Sequence, residues 1–179
     1  MTPATFKQHK NSASSKARLR WPFQPLTCIA LAVGVLASGS VYALAGGIVV
    51  QGKAEILPPT NPNLTTINQT SDRAVINWNN FNIEAHHGVQ LHQPNASSAT
   101  LMMITGANAG PTTISGSLSA NGQVVIVDPN GVVFAHGAVV NVGGLMATTT
   151  DIDKTKFMSG ANTLSFMSGN TVPGMVKVE

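Results

Sequence analysis

Gln123-Val124-Val125-Ile126-Val127-Asp128-Pro129-Asn130-Gly131-Val132-Val133-Phe134 spells a strand, a tight turn and a second strand. Val and Ile branch at Cβ, which stiffens χ1 and suits extended backbone. The four residues between the apolar runs each fit a place in a type I turn. Asp accepts a hydrogen bond at the first position, Pro fixes φ at the second, Asn fits the third and Gly closes the fourth.

The same punctuation recurs along the chain. From residue 44 onward, short β-rich runs are separated by Gly, Asn, Pro and Ser about every ten residues, and no stretch carries helical periodicity. The expected strands are Thr65 to Gln69, Ala74 to Trp78, Val89 to His92, Leu101 to Thr105, Thr112 to Ala120, Gln123 to Val127, Val132 to Phe134, Ala138 to Val142 and Leu145 to Thr148. Alternation puts Ala74, Ile76 and Trp78 on one face and Val75, Asn77 and Asn79 on the other.

A sandwich, a closed barrel and a parallel β-helix compete for this pattern. Sandwiches and small barrels fill their interiors with several large aromatics, and beyond residue 43 only Trp78, Phe81, Phe134, Phe157 and Phe166 are available. Val, Ile, Leu, Ala, Thr and Asn dominate instead. Such residues stack on their like about 4.8 Å away, and low charge avoids repulsion between coils. The composition therefore favours an all-β fold of the right-handed parallel β-helix (solenoid) type, with short antiparallel hairpin or edge elements. At roughly 20 to 25 residues per coil, five or six coils are expected. A solenoid needs capped ends, and no cap is legible near Glu179. Phe157-Met158-Ser159-Gly160 and Phe166-Met167-Ser168-Gly169 form a small duplication that suggests a hairpin or local edge.

Charge and compartment narrow the function. Only 9% of the 179 residues are charged, against roughly 25% in an average soluble domain. The formal charge of +3 is concentrated in the first 20 residues; beyond residue 43 there are five basic and seven acidic residues, which argues against nucleic acid as a partner. The basic stretch leads into the apolar run Leu26 to Leu36 and then the small-residue sites Val41-Tyr42-Ala43 and Ala43-Leu44-Ala45, so residues 1–43 read as a signal peptide with an extended basic region, cut after Ala43 or Ala45. The apolar run is shorter than the ~20 residues of a membrane span. Cys28, the single cysteine, lies within this leader, and the exported chain is expected to have no disulfide. The expected layout is leader 1–43, β-helical domain 44–170 and a tail, 171–179.

Four motifs occur in order: Ile76-Asn77-Trp78-Asn79-Asn80-Phe81-Asn82-Ile83, Ser119-Ala120-Asn121-Gly122-Gln123-Val124, Asp128-Pro129-Asn130-Gly131-Val132-Val133-Phe134 and Val140-Asn141-Val142-Gly143-Gly144-Leu145. In register they resemble the amino-terminal two-partner secretion domain of filamentous-haemagglutinin-like exoproteins, with greater similarity to the high-molecular-weight adhesin branch. The resemblance covers about residues 47 to 170. It implies entry to the periplasm through the Sec translocase, recognition by periplasmic domains of an outer-membrane barrel transporter, and folding outside the cell as a right-handed β-helix. The product is then secreted or held at the cell surface of a Gram-negative bacterium. The family's Asn-Pro-Asn-Gly turn, needed for efficient secretion, falls on Asp128, Pro129, Asn130 and Gly131. The motif core falls on Asn77, Trp78, Phe81, Asn121, Gly122, Phe134, Asn141, Gly143 and Gly144.

Three departures stand out. Asp128 replaces an Asn, keeping an acceptor and adding a charge. Ala135-His136 follows Phe134 where the family has Gly-Lys or Gly-Arg, removing a conformationally free residue. Asn61-Pro62-Asn63-Leu64 spells a second family motif, but ahead of the tryptophan motif, and reads as an ordinary Asn-Pro turn.

Other chemistry finds little support. His86, His87 and His92 match no closed zinc spacing, alternation turns His92 to solvent, and His136 has no nearby carboxylate, so no metal or cofactor is expected. No nucleophile elbow, thiol or phosphate loop is present, and Asp72, Asp128, Asp151 and Asp153 lack the clustered basic residues that a polysaccharide-cleaving solenoid needs, so an enzyme is not expected. Asp151 and Asp153 read as a polar turn. Asn63, Asn68 and Asn95 match the glycosylation pattern, which is frequent in a chain rich in Asn and Thr. The alternatives to an export domain are a stand-alone adhesin that meets a host-cell or glycan receptor, and a truncated remnant of a larger exoprotein.

Overall fold

The computed structural model describes Leu44 and residues 46–106, 110–160, 163–167 and 174–179. The expected leader, Cys28 and the cleavage-site residues Ala43 and Ala45 lie outside the described residues, as do Ser168 and Gly169 of the small duplication.

Among the described residues, eleven of the thirteen strands stack in parallel on three sides and the other two pair antiparallel with them. In chain order the first twelve are β1 (Ile48–Gln51), β2 (Ala54–Ile56), β3 (Leu64–Gln69), β4 (Arg73–Trp78), β5 (Gly88–His92), β6 (Ala99–Ile104), β7 (Thr112–Ile114), β8 (Ser117–Ala120), β9 (Gln123–Val127), β10 (Gly131–Phe134), β11 (Val139–Asn141) and β12 (Gly144–Thr148). A short helix, α1 (Lys154–Met158), and a last strand, β13 (Met175–Val178), complete the set. One side stacks β4, β6, β9 and β12 in parallel, the second β3, β5, β8 and β11, and the third β7, β10 and β13. Ile83 bridges to Ile114 and extends the third side to the first coil.

The result is a β-solenoid of about three turns. Leu64 meets Gly88, Gly88 meets Ser117 and Ser117 meets Val139, so successive coils take 24, 29 and 22 residues. The expectation of five or six coils is corrected by how the chain is spent. Residues 48–56 form β1 and β2, which lie antiparallel on β4 and β3 and cover the first edge of two sides. After β12 the chain leaves the stack through α1 and returns as β13, which completes a further coil. Thus the expected tail contains a strand paired with β10.

Strand alternation explains two apolar layers. Ile76, Trp78, Met102, Ile104, Val124 and Ile126 point inward with Ile67, Leu91, Leu118, Phe81 and Phe134. Each fully buried side chain of this kind contributes about 1.5–3 kcal/mol. The other face of β4, β6 and β9 carries Val75, Leu101, Met103, Val125 and Val127, which would meet water on a bare solenoid. Ile152 and Phe157 cover it, with Met158 and Leu164 packed alongside. Asp153 is not part of a simple polar turn: it caps α1, its side chain accepting from Lys156 N at 3.1 Å. Phe166 bridges back to Ile152 rather than to the first copy of the duplication.

The predicted strand Thr112 to Ala120 divides into β7 and β8. Gly116 makes the corner, its N–H donating to the Ile83 carbonyl at 3.0 Å.

Candidate functional site

The turn Asp128 to Gly131 joins β9 to β10. Gly131 N donates to the Asp128 carbonyl at 3.0 Å, closing the four-residue turn, and Asn130 N donates to Asp128 Oδ1 at 2.9 Å. Gly131 has φ +123, and a Cβ there would stand 2.8 Å from the Met175 carbonyl, so glycine is required twice over.

Neighbouring coils hold this turn from both sides. Asp128 N donates to the Thr148 carbonyl at 3.0 Å, and Gly174 N donates to the Pro129 carbonyl at 2.9 Å. On the opposite side, Asp128 Oδ2 accepts from Thr112 N at 2.9 Å and from Thr112 Oγ1 at 2.7 Å. Asp128 has 0% exposure, whereas Pro129 and Asn130 face solvent. The charge that distinguishes Asp128 from asparagine is therefore hidden, and the turn's outer surface belongs to the two residues after it.

A second corner gathers Asn121, Gly122, Gly143 and Gly144. Asn121 Oδ1 accepts from Gln93 N at 2.7 Å and its Nδ2 donates to the Gln93 carbonyl at 2.8 Å. Gly122 N donates to Gln93 Oε1 at 2.9 Å, and Gly143 N donates to the Gly122 carbonyl at 2.9 Å. Gln93 Nε2 in turn reaches Thr100 Oγ1 at 3.0 Å, and the Thr100 hydroxyl donates to Gln69 Oε1. This buried relay through Gln69, Thr100 and Gln93 links three coils. Sequence reading did not single it out, because a glutamine at a strand end reads as solvent-facing.

The aromatic motif residues are interior. Trp78 and Phe81 lie 5.3 Å apart between ring centroids, and Trp78 Nε1 faces Met102 Sδ at 3.2 Å. Phe134 lies in the same core, while Asn77 faces the other way and Asn141 is exposed. The motif core is thus split among the interior, the Asn-Gly corner and, for Asn77, the outward face of β4.

The departure at Ala135 is absorbed nearby. Ala138 N donates to the Ala135 carbonyl at 3.0 Å, closing a turn in which Gly137 takes φ +92. Asn61-Pro62-Asn63-Leu64 is also a turn, with Leu64 N on the Asn61 carbonyl at 3.0 Å and Asn63 N on Asn61 Oδ1 at 2.9 Å.

His86, His87 and His136 border one open groove of about 570 Å³, whereas His92 lies in a different one with Asn121 and Asn141. Among the described residues no three His, Cys, Asp or Glu side chains are grouped to hold a metal ion. Each of the four aspartates has its own partner: Asp128 is fixed in its turn, Asp153 caps α1, Asp151 accepts from Ile152 N and Asp72 accepts from Asn95 Nδ2.

Comparison with known proteins adds three findings. The family profile described as TPS secretion domain matches residues 42–176. A heme/hemopexin-binding protein of Haemophilus influenzae strain Rd is 38% identical over 134 residues, covering 72% of this chain and 14% of the relative; a second such protein from Haemophilus influenzae is 35% identical over 133 residues with the same coverage. The chain therefore spans about one seventh of the length of these curated relatives. The crystal structure of the HMW1 secretion domain from Haemophilus influenzae superposes with a TM-score of 0.64 at 32% identity, covering 75% of this chain and 35% of that one.

Proposed function

The chain belongs to the TPS secretion domain family and is a targeting domain for two-partner secretion; we propose that its signal to the transporter is the Asp128 to Gly131 turn, read through Pro129 and Asn130. Domains of this family are recognised by outer-membrane transporters of two-partner systems, and the exoproteins they target are secreted from Gram-negative bacteria. The observation that carries the reading is the contrast within the turn: its first residue is buried and anchored on both sides, while the next two are exposed.

The wider scheme rests on the same reading. Residues 1–43 act as the Sec-dependent leader, 44–170 as the secretion domain and 171–179 as the segment that leads out of it. The leader delivers the chain to the periplasm, and periplasmic domains of the transporter recognise it there. Outside the cell the chain coils with a right hand. Trp78, Phe81 and Phe134 form the interior of that fold, Asn121, Gly122, Asn141, Gly143 and Gly144 shape one corner, and Asn77 lies on the outward face of β4. The domain carries no catalytic activity and needs no cofactor, and any host-cell or glycan receptor belongs to the larger exoprotein.

The test replaces Pro129 and Asn130 together by alanine in cells that carry the partner transporter. Export is expected to fall at least ~10-fold while the purified chain keeps its β-sheet circular dichroism, since Asp128 retains its anchors to Thr112 and Thr148. Undiminished export would remove the turn from the recognition step.

A further inference from the structure

The two carboxylate oxygens of Asp128 divide their partners by distance along the chain. Oδ1 accepts from Asn130 N at 2.9 Å and Asn130 Nδ2 at 3.2 Å, two residues away. Oδ2 accepts from Thr112 N and Thr112 Oγ1, 16 residues away on the preceding coil. Every group that reaches this side chain is a donor.

That pattern discriminates between a carboxylate and an amide. A carboxylate only accepts, with both oxygens available, whereas an amide has one accepting oxygen and an NH2 that donates. The single accepting oxygen of an asparagine here would keep the local bond to Asn130 N, two residues away, and its NH2 would then face the Thr112 N–H. The Thr112 hydroxyl can reverse to accept from that amide, but the Thr112 N–H cannot. Asp128 has 0% exposure, so water does not replace the missing acceptor.

We infer that Asp128 is a positioning residue whose second oxygen latches the export turn to the preceding coil, and that this latch requires a carboxylate. The inference rests on the reading of Pro129 and Asn130 given above, and it adds an order of events. The bonds to Oδ1 are local and can form in a chain still in transit. The bonds to Oδ2 need β7 stacked beside β10, which only folding supplies. The turn is therefore presented before folding and locked by it.

Asp128→Asn separates the two halves. Residue-resolved amide exchange on the purified full chain should show the Thr112 N–H exchanging ~10- to 100-fold faster than in the parent, with the Gly131 N–H little changed. Export of Thr112→Val, which loses one bond to the preceding coil and leaves the turn's own residues unchanged, should stay within about twofold of the parent, because the local half of the turn survives. Unchanged Thr112 protection would overturn the latch, and export as poor as that of the Pro129→Ala, Asn130→Ala chain would overturn the order of events. Should Asp128→Asn unfold the chain, the parent decides by nuclear magnetic resonance. A through-hydrogen-bond coupling between the Thr112 amide nitrogen and the Asp128 carboxyl carbon is expected, and its absence, where the neighbouring strand bonds do show such couplings, would refute the latch. Failure of the Pro129 and Asn130 substitutions to reduce export bears on the recognition reading alone and leaves the exchange result standing.

Discussion

A Cβ at Gly122 would stand 2.5 Å from the Ser98 carbonyl and 2.7 Å from Gln93 Oε1. Gly122→Ala therefore displaces the one side chain that joins this corner to Thr100 and, through it, to Gln69. A cost of ~1–3 kcal/mol is expected, read as a lower midpoint in urea; an unchanged midpoint would show that the corner relaxes freely. Asn121 and Gly122 were legible because a motif resemblance pointed to them. Gln93 and Thr112 were not. Each is a polar residue in a Thr- and Asn-rich chain, and what sets it apart is a partner one coil away, 28 residues distant for Asn121 and 16 for Asp128. Local pattern holds no record of that distance. The charge on Asp128 was visible in the sequence, but not that it points inward.

Alternation served well for the strands and poorly for the pieces between them. Ile76 and Trp78 do face the interior and Val75 the opposite layer, as the two-residue period implies. The period could not say that Val75 would be buried too. That depends on Phe157, carried by a five-residue helix shorter than any window in which helical periodicity can be detected. Its only local sign was Asp153 at the cap. Phe157 is 1% exposed and also stacks under Arg73, with the guanidinium 5.2 Å from the ring centroid. Phe157→Ala should uncover the outer layer at a cost of ~3–5 kcal/mol by chemical denaturation. Asp153→Ala, which removes only the cap, should cost ~1 kcal/mol. If the two cost the same, the covering role of α1 is wrong. β1 and β2 escaped notice for a related reason. With four and three residues beside glycines, they gain their order by pairing with β4 and β3 rather than by a pattern of their own.

At the scale of the molecule, the absence of cysteine beyond residue 28 leaves stability to stacking. Parallel coils bury an aliphatic interior, and buried Gln69, Thr100 and Gln93 tie them at one corner. Composition was enough to choose a solenoid over a sandwich, because few large aromatics and little charge are what like-on-like stacking tolerates. Coil number was out of reach, since it depends on how many residues go to the edge strands and to the outer layer. The first edge is blunted by β1 and β2 running antiparallel to the strands they cover. Deleting residues 46–56 should leave β3 and β4 with bare edges and convert the chain to oligomers by light scattering. A monomer with unchanged circular dichroism would mean that those strands are not a cap. The central claim concerns transport, and the most direct measurement is the fraction of the chain recovered from the medium of cells with and without the partner outer-membrane transporter. Recovery that requires the transporter is the predicted result. Equal recovery without it, or retention in the periplasm with it, would contradict the account.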